Sequence, residues 1–139
     1  MNELFKTKTN AKEINVASLA YLGDTVFDLF VRMYIIKNKP ASIDKQHKMA
    51  IACVNAAAQA GLVKQIWDSL TQDEQDLVKR GRNAKTGTTP KNMDVGDYRW
   101  ATGLECLIGH LFICGEHERL NELFDKILNL LFTEEKYAD

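Results

Sequence analysis

The sequence has few residues that break or cross-link a chain. Of its 139 residues only two are proline and three are cysteine, and no two cysteines have CxxC spacing. An odd number of cysteines without such a pair argues against a disulfide framework and against a thiolate metal site. No run of 18 apolar residues occurs, so we expect no membrane span. The polar segment before Val16 has no apolar core of a secretory signal, so we expect a cytoplasmic protein.

The composition is that of an ordinary globular domain. Hydrophobic residues make up 45% and charged residues 27%, and the net charge of −1 predicts no acidic partner by itself. This length suits one core, so we predict a single domain over residues 1–139. Apolar residues recur at helical spacing almost throughout, and no run alternates as a strand would. The expected fold class is therefore all-α, with about six or seven helices.

Start and stop signals divide the chain into helices. Thr71 and Glu74 form a capping box, Asp94 is a helix cap, and Gly115 is a stop. The predicted helices run from Val16 to Ile36, from Ser42 through Ile51, from Asn55 to Leu70, from Thr71 to near Gly81, from Asp94 to Cys114, and from Glu116 to Phe132.

Positive charge is concentrated in the middle of the chain. Residues 79–93 contain five cations and no acid: Lys79, Arg80, Arg82, Lys85 and Lys91. Cations at a helix end suit the helix dipole and would then form a solvated face. Cations that continue into a loop of Gly, Thr and Asn also suit contacts to phosphate and 2′-hydroxyl groups. Charge alone leaves both interpretations open.

Two carboxylates occur in otherwise apolar helices, Asp24 and Glu105. A buried carboxylate is costly unless it is paired or binds a cation. One interpretation is a metal site, and the other is a pair of structural ion pairs with Arg32 and Arg99. Asp28 follows Asp24 by one helical turn on the same face, and it either joins the metal site as a further acid or has a surface or structural role.

Glycines precede both of these acids. Gly23 is next to Asp24, and Gly103 is two residues before Glu105. Because glycine destabilises a helix interior, we expect another backbone or a ligand to approach closely at both positions.

The motifs and their order resemble those of the ribonuclease III family. Over nearly its whole length the chain resembles the short form of that family, Mini-ribonuclease III. Leu22 to Val26 is similar to the signature helix, and Leu104 to Gly109 to the second catalytic segment. Arg80 to Ala84 and Pro90 to Asn92 resemble the middle loop of the short form. The resemblance implies a ribonuclease III-like helical domain.

Two positions depart from the pattern of the longer members. Ala20 and Thr102 stand where the longer members have further acids. The resemblance implies that the short form also lacks acids at these two positions. The resemblance therefore carries over only Asp24 and Glu105, as catalytic and metal-binding residues. It leaves open the number of Mg²⁺ ions in each site.

The resemblance also implies a function. It implies Mg²⁺-dependent hydrolysis of double-stranded RNA to 5′-phosphate and 3′-hydroxyl ends, by a homodimer in the cytoplasm. The implied substrate is precursor 23S ribosomal RNA, with a ribosomal protein as a possible helper. No separate RNA-binding domain is expected after the last helix. The candidate RNA-binding residues are Arg80, Arg82, Asn83, Lys85 and Lys91.

Some residues and functions stay open. His47 and Lys48 suit either an RNA-backbone contact or an exposed helix face, and we expect His110 to serve in packing. One alternative function is a non-catalytic RNA-binding module for ribosome assembly on the same fold. Another is a helical protein–protein adaptor with structural carboxylates. Retention of both Asp24 and Glu105 favours the enzyme.

Overall fold

A computed structural model describes residues 13–84, 91 and 93–133. Within these residues there are six α-helices and no strand. The helices are α1 (Val16–Asn38), α2 (Ile43–Cys53), α3 (Ala56–Ile66), α4 (Gln72–Asn83), α5 (Val95–Ile113) and α6 (His117–Leu131). A short 3₁₀ turn, Trp67–Ser69, follows α3. The all-α prediction is confirmed.

Side-chain caps begin the helices where the sequence predicts them. The Thr71 hydroxyl accepts the N–H of Glu74 at 3.2 Å, and the Glu74 carboxylate accepts the N–H of Thr71 at 2.9 Å. The Asp94 carboxylate accepts the N–H of Asp97 at 2.9 Å. Gly115 has a φ of 74°, the left-handed conformation that ends α5.

Two helices run past their predicted ends. α1 continues to Asn38 rather than Ile36, and the Asn38 amide donates to the carbonyl of Tyr34 at 3.0 Å in this last turn. α4 continues through Asn83, because Gly81 is buried against α5 and acts as a contact point within the helix.

Helix α5 forms the centre of the fold. It packs against α1, α3 and α4, and Leu104, Leu107 and Ile108 are completely buried. Because neighbours surround it, this helix needs an apolar circumference, which explains how little polar sequence it has. The core extends to α6, where Phe124 stacks on Phe30 with ring centroids 4.2 Å apart.

Glycines set the spacing between α5 and its neighbours. A β-carbon at Gly23 would overlap the Glu105 carbonyl, and one at Gly109 would overlap that of Leu19, so α1 and α5 are in backbone contact. A β-carbon at Gly103 would meet the carbonyl of Val78 on α4. The close backbone approach predicted at Gly23 and Gly103 is therefore confirmed.

An ion pair connects α4 to α6. Arg119 donates from Nε and Nη2 to the two carboxylate oxygens of Glu74, at 2.9 and 2.8 Å, and also from Nη2 to the Ser69 carbonyl at 2.8 Å. Burial acts to raise the pKa of Glu74, but Arg119 and the Thr71 N–H stabilise the carboxylate more, so the net pKa is lowered.

No single helix in the described part of the chain is long and apolar enough to cross a membrane. The bent pair Ile43–Cys53 and Ala56–Ser69 meets that test only when its two helices are taken together. Its apolar residues Cys53, Val63 and Ile66 lie in the core.

Candidate active site

Asp24 and Glu105 meet where α1 crosses α5. The backbone contact at Gly23 brings the beginning of α1 onto the turn of α5 that carries Glu105. The two side chains are close enough to share a hydrogen bond, with Asp24 exposed and Glu105 half-buried. Two acids far apart in sequence therefore form one carboxylate pair with an open side.

The pair has the electrostatics of a cation site. Burial is the largest cause that raises the pKa of Glu105 to about 9, and the hydrogen bond and negative charge of Asp24 add to it. Without a cation the pair therefore keeps one proton at neutral pH, because burial and then the neighbouring Asp24 disfavour the charged form of Glu105. Oxygen donors of this kind suit Mg²⁺, which a protein often holds with one or two carboxylates.

The ion-pair interpretation of these acids is not supported. The described residues form three salt bridges, which are Arg32 with Asp28, Arg119 with Glu74, and Arg119 with Glu122. None of them includes Asp24 or Glu105. Arg32, one of the two partners considered, pairs with Asp28 at 2.9 Å instead. Arg99, the other, forms no salt bridge in the described part of the chain.

The two positions that lack the further acids are both buried. Ala20 lies in the core, and the Thr102 hydroxyl donates to the carbonyl of Tyr98 at 2.8 Å. Across residues 13–84, 91 and 93–133, no group of three or more His, Cys, Asp or Glu side chains could hold a metal ion. The acidic side chains that this site offers in the described residues are therefore the two carboxylates.

A groove of about 310 Å³ lies beside Asp24. Asp28, Arg32 and His47 also line it, so α1 and α2 form its walls. Asp28 shares the groove but accepts a hydrogen bond from Arg32 at 2.9 Å. Asp28 and His47, for each of which two roles were considered, therefore line one surface next to the carboxylate pair.

His110 lies in a different groove, which Arg80 and Leu19 also line. It is half-buried, and this burial lowers the pKa of its imidazole. A neutral, partly buried histidine agrees with the packing role that we expect for it.

The predicted RNA-binding residues lie at the end of α4 and beyond it. Arg80 and Asn83 are exposed on α4, and Lys91 is exposed in the following segment. Arg82 lies over the ring of Trp100, 4.7 Å from its centroid, and donates from Nε to the Asn83 amide oxygen at 3.1 Å. Lys85 lies outside the described residues.

One structural feature next to this segment could not be predicted from the sequence. Trp67 and Trp100 meet edge to face with ring centroids 5.6 Å apart. Lys64 lies over Trp100 and Lys79 over Trp67, each 5.7 Å from the ring centroid. None of these contacts joins residues close in sequence, so all of them depend on how α3, α4 and α5 pack.

The Ribonuclease III domain family matches residues 17–116. That span contains both carboxylates and most of the helices that position them. The chain belongs to the ribonuclease III family. This membership supports an RNA endonuclease function of the ribonuclease III type.

The curated relatives indicate which branch of the family this is. Mini-ribonuclease 3 of Clostridium tetani is 44% identical over 125 residues, which cover 89% of this chain and 83% of that protein. Mini-ribonuclease 3 of Staphylococcus aureus is 40% identical over 124 residues, 86% of this chain and 91% of that one. The chain is thus a member of the Mini-ribonuclease 3 branch, as the motifs indicate.

A solved structure supports the fold. The crystal structure of protein FN1578 from Fusobacterium nucleatum matches with a TM-score of 0.77 and 26% identity. The match covers 88% of this chain and 98% of that one.

Proposed function

We propose that this chain is a Mg²⁺-dependent endoribonuclease that hydrolyses phosphodiester bonds of double-stranded RNA. The observation that carries the proposal is the Asp24–Glu105 pair, which is held together by a backbone contact at Gly23 and lacks a basic partner among the described residues. A proton is all that neutralises this pair in the absence of a basic side chain, whereas a bound cation would neutralise both carboxylates.

The proposed chemistry depends on the two carboxylates. Asp24 and Glu105 would hold Mg²⁺, directly or through water. When bound, the ion activates a water molecule and stabilises negative charge on the scissile phosphate. Asp24, which is exposed, faces the approaching substrate, and Glu105 is fixed by the packing of α5. The products would carry 5′-phosphate and 3′-hydroxyl ends.

RNA binding would use the cationic segment. The proposed contacts are Arg80, Arg82, Asn83, Lys85 and Lys91. Exposed guanidinium and ammonium groups bind phosphate oxygens, and the asparagine amide suits a 2′-hydroxyl. Such contacts depend on the shape of an A-form duplex, which fits a nuclease that acts on double strands.

A homodimer would place two such sites on one duplex. Along α1 an apolar stripe flanks the edge that carries Asp24, with Tyr21 85% and Ile36 68% exposed. Leu29 and Met33 belong to the same stripe. Several large apolar side chains exposed along one helix favour a contact with another protein surface. A two-fold contact through α1 would bury it against its own copy.

The natural substrate in this proposal is precursor 23S ribosomal RNA in the cytoplasm, with a ribosomal protein as a possible helper. Support for it comes from the resemblance to the short form of the family. Because RNA stems are read mostly by shape, the residues of the chain do not themselves select one stem.

The direct test is cleavage of a long RNA duplex by purified protein with and without Mg²⁺, beside an Asp24→Asn variant. We expect cleavage that needs Mg²⁺ and that the variant loses while it stays folded. Failure to cut the duplex, and then a precursor large-subunit RNA with ribosomal proteins added, would contradict the proposal. A non-catalytic RNA-binding module would then be the better account.

A further inference from the structure

Three cations surround the two tryptophans of the chain. Lys64, Lys79 and Arg82 lie over Trp67 or Trp100, at 4.7–5.7 Å from the ring centroids. We call these five residues the tryptophan cluster. Within the described residues, no carboxylate lies within 4.0 Å of any of the three cations. Their positive charge is therefore held in place by the rings and left without a close acidic partner.

Trp100 and Glu105 lie on different sides of α5. Trp100 precedes Glu105 by five residues on α5, which places the two side chains roughly 140° apart around the helix axis. The cluster is therefore distinct from the carboxylate pair. Arg82 connects the cluster to the cationic segment at the end of α4.

The rings themselves are not free to bind bases. Each tryptophan is half-buried, has at least one cation over it, and contacts the other ring. Proteins that bind single strands stack the bases on open aromatic faces. Here the rings instead contact cations, which suit phosphate oxygens along a duplex.

We propose that the tryptophan cluster is a second docking surface for double-stranded RNA, with Lys64 and Lys79 as phosphate contacts and Trp67 and Trp100 as their positioning residues. This inference rests on the proposed RNA substrate but not on cleavage. The cluster would hold a long duplex beyond the segment that is cut. It would therefore affect substrate binding and KM far more than kcat.

Binding can be measured on the full chain in EDTA, where no Mg²⁺ supports cleavage. The two tryptophans are the only ones in the sequence and both belong to the cluster, so their fluorescence reports on it directly. We expect the emission to change when a long RNA duplex is titrated in. The test variant is Lys64→Gln/Lys79→Gln, and the control is Lys37→Gln/Lys126→Gln, which has the same net charge and changes lysines on α1 and α6.

We expect the test variant to bind the duplex about tenfold more weakly near 0.1 M salt than the control, and its log K against log [salt] slope to be smaller by about 1.8. Cleavage by the test variant in Mg²⁺ should show a raised KM and an unchanged kcat.

Equal binding by the two variants would overturn the proposal and leave an acidic protein as the partner to test. Tighter binding of a single strand than of the duplex would also overturn it. Since binding is scored without Mg²⁺, an inactive nuclease would not be mistaken for a failed docking surface.

Discussion

No side chain fits at Gly23, because the backbone carbonyl of Glu105 occupies the place where a β-carbon would stand. The residue next to Asp24 is thus in direct contact with the residue that Asp24 must reach. The distance between Asp24 and Glu105 is therefore set by backbone packing. A change at Gly23 should affect stability and catalysis together.

We expect Gly23→Ala to separate α1 from α5. The forced shift should lower the free energy of unfolding by about 1–3 kcal/mol, as overpacking does. It should also lower the rate of duplex cleavage by about tenfold or more, because the two carboxylates move apart. Urea denaturation and initial cleavage rates measure the two effects.

Gly61→Ala is the matched control. Nothing lies within 4 Å of a β-carbon at this position inside α3. Alanine in a helix interior is more stable than glycine, so this variant should gain about 0.5–1 kcal/mol. If both variants changed stability in the same direction, the contact between Gly23 and Glu105 would not be the cause.

Mg²⁺ should stabilise the folded protein through Asp24 and Glu105. At about ten times its Kd the ion would add about 1.4 kcal/mol, or about 5 °C in Tm for a chain of this size. Asp24→Asn should lose this shift. Asp125→Asn, the same change at an exposed site on α6, should keep it. An equal shift in all three proteins would mean that the ion binds elsewhere.

The sequence predicts the helices well because their signals are local. Thr71 with Glu74 and Asp94 cap helices through side chains that act within three residues. Helix ends are less predictable, as at Gly81, where the next residues stay helical because α5 packs there.

The site is only partly predictable. The cost of a carboxylate in an apolar helix singles out Asp24 and Glu105, but their contact with each other depends on how α1 crosses α5. The Trp67–Trp100 contact could not be predicted, because it joins residues 33 apart through helix packing. Local patterns thus predict the elements and the unusual residues, while packing determines which of those residues meet.

The Glu74–Arg119 pair should stabilise the fold in a pH-dependent way. Arg119→Gln leaves the buried Glu74 carboxylate without its main partner, which we expect to cost about 2–3 kcal/mol at neutral pH. Because the pKa of Glu74 is lowered on folding, this contribution is complete above the unfolded pKa and is lost as pH falls through the folded pKa. Urea denaturation near pH 7 and in acid should show the gap between variant and wild type closing in acid.

The exposed Asp28–Arg32 pair offers a comparison. Its arginine side chain is 57% exposed, so Arg32→Gln should change stability by only a few tenths of a kcal/mol. A double-mutant cycle of Glu74→Gln with Arg119→Gln should give a coupling energy well above that. If the difference in unfolding free energy between Arg119→Gln and wild type stays constant down to acid pH, the ionisation of Glu74 is not involved.

The apolar stripe on α1 should determine the oligomeric state. In a two-fold dimer, burying the half-exposed Leu29 and Met33 would contribute about 1 kcal/mol each, and an introduced carboxylate would also lose its hydration there. We therefore expect Leu29→Glu/Met33→Glu to sediment as a folded monomer at concentrations where the wild type is a dimer. Val95→Glu, at an exposed residue in the first turn of α5, should remain a dimer. Because cutting both strands of a duplex needs two sites, the monomer should produce far fewer double-strand breaks for each single-strand nick. A dimeric double variant, or a wild type that sediments as a monomer, would contradict this interface.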